Sequence, residues 1–189
     1  MRLRAPRIPP VDLDTLDDDQ REAMKGLLGG RPPLNIFRTL VHAPKALTRF
    51  LEWGGYVLSR RNSLPARERE IVILRIGYLC RSGYEFTQHT RIALQEGLTE
   101  DEISCIKGGA DALGWSAADQ ALIRASDELH RDQFISEPTW AALSEHFDQK
   151  QRMDLVFTAG QYTQVSMMLN TFGVQLDEGQ TLDPDLAAY

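Results

Sequence analysis

Cysteine is scarce in this sequence: 189 residues contain two, Cys80 and Cys105. They form no CxxC pair and permit one disulfide at most, which excludes a disulfide-stapled secreted scaffold. Reduced thiols in a cytoplasmic protein are expected instead. Long apolar runs are missing too. None approaches the roughly 18 residues of a membrane-spanning helix, so no membrane partner is expected. Basic charge falls short of acidic charge, 21 Lys and Arg against 27 Asp and Glu, for a net charge of −6. That sign disfavours nucleic acid and anionic lipid as partners, and it requires local arginines wherever an anionic substrate binds. The four histidines show neither HxxxH nor HxxE spacing, so no metal site is expected. The basic start Met1-Arg2-Leu3-Arg4 leads into prolines and acids rather than an apolar stretch, which argues against a secretion signal.

With 42% hydrophobic and 25% charged residues, the chain has the composition of one globular domain large enough to bury a core without covalent staples. Residues 1–12, rich in arginine and proline, read as an extended arm that either wraps a neighbouring subunit or stays disordered. Residues 13–173 read as a helical domain and 174–189 as an acidic, irregular tail. Within the domain, helix punctuation is dense. A short helix from about Asp17 to Leu28 stops at Gly29-Gly30, and Pro32-Pro33 enforces a loop. Pro44 suits a first helical turn. Leu47, Phe50, Leu51, Gly54 and Leu58 then fall on one side at helical spacing. The run Ile71-Val72-Ile73-Leu74-Arg75-Ile76-Gly77-Tyr78-Leu79-Cys80 is apolar nearly all round. Its length, with the charged Arg67–Glu70 stretch before it, favours a buried helix over a strand. Further helices are expected from Tyr84 to Glu96, after the capping box at Thr99-Glu102, after Ser116, after Ser136, and from Asp148 to Phe172. The expected fold class is therefore all-α, a single-domain bundle of about eight helices with no internal repeat.

Chemistry concentrates between Glu70 and His89. Glu70 opens the apolar run, and its carboxylate points into the layer of Ile73, Leu74 and Gly77. Ser82, Glu85 and His89 are spaced i, i+3, i+7, and the last two are neighbours on a helix face. A carboxylate beside an imidazole fixes which ring nitrogen carries the proton, which is how a general acid or base is prepared. The plainer reading of such a pair is a surface ion pair. His42 is expected in a turn, and His130 and His146 near helix C-termini, where a cation is favourable. Trp53 and Tyr56, three apart, either line a cavity or pack in the core. Gln161-Tyr162 and Met167-Met168-Leu169-Asn170 on the last helix are placed to close a pocket or an interface, or else to pack in the core.

The order Glu70, eleven residues, Ser82-Gly83-Tyr84-Glu85, three residues, His89, then Gly97-Leu98-Thr99, resembles the carboxymuconolactone decarboxylase and alkylhydroperoxidase-D-like (AhpD-like) family. The stretch Leu64–Arg75 resembles the family's entry to its core helix. The likeness runs from about Pro44 to Ile106 and weakens along the final helix. The redox members carry CxxC where this chain has Ser82 and Glu85, and their chemistry needs a low-pKa thiolate with a resolving thiol. The resemblance therefore implies the decarboxylase branch: a cofactor-free lyase or isomerase on a small carboxylated or lactone substrate from aromatic catabolism. It gives His89 the proton transfer, Glu85 the orienting contact, and Glu70 the positioning of a water or the shuttling of a proton. Arg75 is assigned the anion contact or, equally, the pairing of a structural carboxylate, with Ser82, Trp53 and Tyr56 beside the substrate. It also implies a homo-oligomer, as a dimer, trimer or hexamer. The alternatives are a non-catalytic oligomeric binding or scaffold protein, in which no cavity opens among these residues, and a thiol peroxidase, which the missing CxxC disfavours.

Overall fold

The computed structural model describes residues 2–112 and 114–187. Met1 of the arm, Leu113, and Ala188-Tyr189 of the tail lie outside them. Among the described residues the chain forms nine α-helices, with a 3-10 turn near each end and no strand. In chain order they are α1 (Asp18–Met24), α2 (Asn35–Leu40), α3 (Pro44–Val57), α4 (Ala66–Leu79), α5 (Gly83–Gln95), α6 (Glu100–Gly108), α7 (Ala117–Asp132), α8 (Glu137–His146) and α9 (Gln149–Phe172). None of them is long and apolar enough to cross a membrane.

Local chemistry starts most of the helices where the sequence signals them. Asp17 with Gln20, Thr99 with Glu102, and Asp148 with Gln151 form reciprocal capping boxes. Ser116 caps α7. Each such cap contributes about 1 kcal/mol by satisfying amides that the helix leaves open. Helix α2 is the one that sequence reading did not expect. It is six residues long and has no side-chain cap of its own, so nothing local marks its start. The missing cap comes from the tail, where Asp177 Oδ1 accepts the Asn35 N–H at 2.7 Å.

Helix α4 is the centre of the molecule. Residues Arg69 to Gly77 are all buried, because α5, α7 and α9 pack around it. A helix covered on every side must be apolar on every side, which explains why this run also resembles a buried strand. One large core surrounds α4, and a smaller cluster of Leu16, Met24, Val41 and Leu47 sits under the N-terminal segment.

The arm and the tail both fold onto their own chain. The amides of Arg7 and Ile8 donate to Phe172 O, and Val11 N–H donates to Arg38 O. Gly173 ends α9 at φ +70°, and a Cβ there would come within 3.0 Å of Ala5 O and of Leu3. Glycine is thus required both for the turn and for the arm's close approach. In the tail, Leu186 is buried, and Lys107 pairs with Asp183 and Asp185.

Candidate active site

Helices α4 and α5 form an antiparallel hairpin closed by Cys80-Arg81-Ser82. Arg81 takes the left-handed conformation at φ +52°, and Ser82 N–H donates to Gly77 O at 2.8 Å. That bond fixes the register. Glu70 lies seven residues before Gly77 and His89 seven after Ser82, so both sit about 10 Å from the turn, at the same level. They meet there: His89 Nδ1 is 2.7 Å from Glu70 Oε2, with both residues buried. A carboxylate at that position accepts from Nδ1–H and leaves Nε2 for other partners. Nε2 has no hydrogen bond among the described residues, and His89 faces a cavity.

Glu85 does not orient His89, contrary to the expectation from their i, i+4 spacing. Its Oε2 instead accepts the Ser166 hydroxyl of α9 at 2.8 Å, while Oε1 is buried without a partner among the described residues. Room for this carboxyl exists because residue 77 has no side chain. A Cβ on Gly77 would lie 2.9 Å from Glu85 Oε1. Burial pushes the Glu85 carboxyl well above the ordinary glutamate range. The Ser166 bond opposes that shift and the nearby Glu70 adds to it. Glu85 therefore holds its proton to higher pH than an ordinary glutamate does. Its folded-state pKa is raised, so the folded protein holds a proton that the unfolded chain releases. Stability should then fall as pH climbs from the ordinary glutamate range towards the raised value, by up to about 1.4 kcal/mol per pH unit. Glu85→Gln, which cannot ionise, should lack that slope. Urea unfolding of the two proteins at pH 5 and pH 8 checks this, and parallel pH dependences would refute it.

The cavity has a volume of about 340 Å³ and lies between α2, α3, α5 and α9. Its walls are mostly apolar, with Ile36, Phe37, Phe50, Leu51, Leu58 and Val165 among them. Tyr84, Glu85, Gln88, His89, Arg91, Gln161 and Tyr162 supply the polar side chains. Tyr162 stands edge-on to His89, with ring centroids 4.8 Å apart. Asp177 braces the far wall, accepting from Tyr84 Oη and Gln88 Nε2, each at 2.6 Å.

Four residues expected beside the substrate lie elsewhere. Arg75 does not line the cavity. Its guanidinium bonds Asp127 at 2.5 Å and the carbonyls of Ile106 and Lys107, and so ties α4 to α6 and α7. Ser82 is fully buried in the hairpin turn, its hydroxyl unpartnered among the described residues. Trp53 and Tyr56 stack on each other at 5.5 Å, on the face of α3 turned away from the cavity. Trp53 is 41% exposed, and Tyr56 donates to Asp154 at 2.6 Å. Sequence reading passed over Arg91, the only guanidinium on the cavity wall among the described residues. A usable signal was present: Arg91 follows Gln88 by three residues and has no acid four residues away on its helix.

Neither cysteine is in a disulfide among the described residues. Burial raises the Cys80 thiol to about 11, Glu85 adds to the effect, and a Ser166 hydrogen bond opposes it. It therefore stays protonated near neutrality, the opposite of what a reactive thiolate needs.

The fold belongs to a recognisable class. An alkylhydroperoxidase AhpD core, an uncharacterised peroxidase-related protein from Ralstonia eutropha JMP134, matches with a TM-score of 0.80 at 19% identity, over 92% of this chain and 93% of that one. A peroxidase-related protein from Silicibacter sp. TM1040 matches with a TM-score of 0.76 at 15% identity, over 93% and 95%. The debrominase Bmp8, in complex with 2,3,4-tribromopyrrole, matches with a TM-score of 0.70 at 10% identity, over 93% and 94%. These likenesses define an AhpD-like helical fold. No curated protein matches the chain in sequence. Residues 44–127, which span α3 to most of α7, match the Carboxymuconolactone decarboxylase family. That stretch of the chain is therefore similar to the carboxymuconolactone decarboxylase family, within a fold that is AhpD-like.

Proposed function

We propose that the cavity houses a cofactor-free lyase or isomerase that acts on a small carboxylated or lactone substrate through acid–base chemistry at His89. The observation that carries this reading is the 2.7 Å contact between Glu70 and His89, which presents the free imidazole nitrogen to the cavity. Its volume of about 340 Å³ suits one small ring compound. The scaffold alternative expects no cavity among these residues, whereas Glu85 and His89 both line one. Self-association remains part of the proposal, and the exposed Trp53, Leu58, Met153, Val156 and Met167 on or beside α3 and α9 are compatible with it.

In a decarboxylation, the carbon–carbon bond to the carboxylate breaks, CO2 leaves, and the bonding electrons pass to a conjugated carbonyl as an enolate. The enolate then takes a proton on carbon. His89, with its Nδ1–H held by Glu70, delivers that proton from Nε2. Arg91 takes the anion-binding role first given to Arg75 and holds a carboxylate that is retained. The carboxylate to be lost lies against the apolar wall, where desolvation disfavours the anion relative to neutral CO2. In an isomerisation, His89 Nε2 first takes a carbon-bound proton in place of the loss of CO2, and then returns it to another carbon of the conjugated enolate.

The test is a panel of carboxylated unsaturated lactones in deuterated buffer. We expect CO2 release or shift of the double bond, with deuterium incorporated at the protonated carbon. In a parallel assay, hydroperoxide with a dithiol reductant should give no turnover above buffer. Hydroperoxide reduction combined with inertness to the lactones would overturn the proposal.

A further inference from the structure

The cavity holds two buried tyrosines, and their hydroxyls are treated differently. Tyr84 donates to Asp177 and receives the Ile36 N–H, so its hydroxyl is occupied. Tyr162 is only 5% exposed, yet its hydroxyl has no hydrogen-bond partner among the described residues. Tyr162 lines the cavity, and its hydroxyl is not among the polar atoms sealed in the packing, so a water or a ligand oxygen can take it. The ring is set edge-on against His89, which places the phenol beside the group that moves the proton.

We infer that the Tyr162 hydroxyl is the hydrogen-bond donor for the substrate oxygen that gains negative charge, and that the cavity selects compounds able to carry an oxyanion on a conjugated ring or lactone. For its purpose this rests on the acid–base reading above. Its binding geometry stands separately. Tyr162 suits the role because it keeps its proton: burial holds the phenol well above its ordinary range, and Glu70 and Glu85 add to that. A phenol that stays protonated throughout the working range donates to an oxyanion without ionising itself. Tyr162→Phe removes no bond that the folded protein makes, so its thermal midpoint should stay within about 2 °C of wild type.

The probe is 4-nitrophenol, whose ionised form is read directly from its absorbance. With a donor in the cavity, the bound probe should ionise at lower pH than free 4-nitrophenol. Tyr162→Phe should weaken binding of the phenolate about 10–100-fold and leave binding of nitrobenzene, which has no ionisable oxygen, unchanged. On a substrate from the lactone panel, the same variant should lower kcat with little change in KM. Equal ionisation of the probe in the two proteins, or failure of wild type to bind it, would overturn the assignment. If the probe responds as expected while every lactone is inert, the donor role stands and the lyase reading falls. If a lactone turns over and Tyr162→Phe leaves kcat intact, the lyase reading stands and the donor role falls.

Discussion

Turnover in a His89→Ala variant should fall about 10²–10⁴-fold, the usual worth of a positioned general acid or base. The loss should appear in kcat, because the apolar walls and Arg91 that hold the substrate are untouched. The variant also leaves Glu70 buried beside an empty space, and breaking a buried pair costs about 3–5 kcal/mol. Folding and chemistry must therefore be separated. Glu70→Gln with His89 intact keeps a polar partner near Nδ1 but removes the carboxylate that fixes the imidazole. It should fold and lose a smaller part of kcat. The double variant Glu70→Gln/His89→Ala removes the stranded carboxylate and should recover stability without recovering rate. Added imidazole should restore part of the rate to His89→Ala, since the space it leaves opens onto the cavity. A folded His89→Ala protein with wild-type kcat would remove His89 from the mechanism.

The reasons why some of this site could be read from sequence, and some could not, are visible in particular residues. Glu70 and His89 were accessible because the intervening spacing encodes a hairpin, and a hairpin brings equidistant residues together. The i, i+4 spacing of Glu85 and His89 points to the wrong orienting partner, because it sees only one helix. The competing partner for Glu85 is Ser166, 81 residues further on. Of the two readings of Arg75, the structural carboxylate holds: its acceptors, Asp127 and two carbonyls at the end of α6, are supplied by tertiary packing that a single helix does not reveal. The capping boxes were legible because donor and acceptor lie within four residues. Helix α2 was not, since its cap is Asp177. That carboxylate also holds Tyr84 and Gln88, so an acidic tail that looked merely irregular fixes one wall of the cavity. Trp53 and Tyr56 share α3 with the cavity wall but stand on its other face, with Trp53 neither in the cavity nor in the core. The residues between them, Gly54 and Gly55, line the cavity instead.

Asp154→Ala should be the most destabilising single change on the opposite face of that wall. Asp154 is fully buried on α9 and accepts four hydrogen bonds: from Tyr56 Oη at 2.6 Å, and from Ser63 N–H, Ser63 Oγ and Lys150 Nζ, each at 2.7 Å. Burial on its own would raise the carboxyl. The Lys150 ammonium, the Tyr56 hydroxyl and the two Ser63 donors outweigh it and hold the group down at about 2. Lys150 is half exposed, so its charge is partly screened by solvent and the neutral donors carry most of the bond energy. Removing the acceptor strands those donors. The expected cost is about 3–5 kcal/mol, or a fall of roughly 10 °C in the thermal midpoint. Because the folded-state value is depressed, the stabilisation is fully present above the ordinary aspartate value of 3.8 and is lost as pH falls towards 2. Wild type should therefore lose stability in that window, and Asp154→Asn should not show the same loss. A midpoint shift below about 2 °C for Asp154→Ala would mean that these bonds hold nothing together. The effect should also reach the site. Asp154 fixes α3 and the α3–α4 loop to α9 through Tyr56 and Ser63, and the other face of α3 forms the cavity wall opposite His89. Substrate binding in Asp154→Ala should weaken before the protein unfolds.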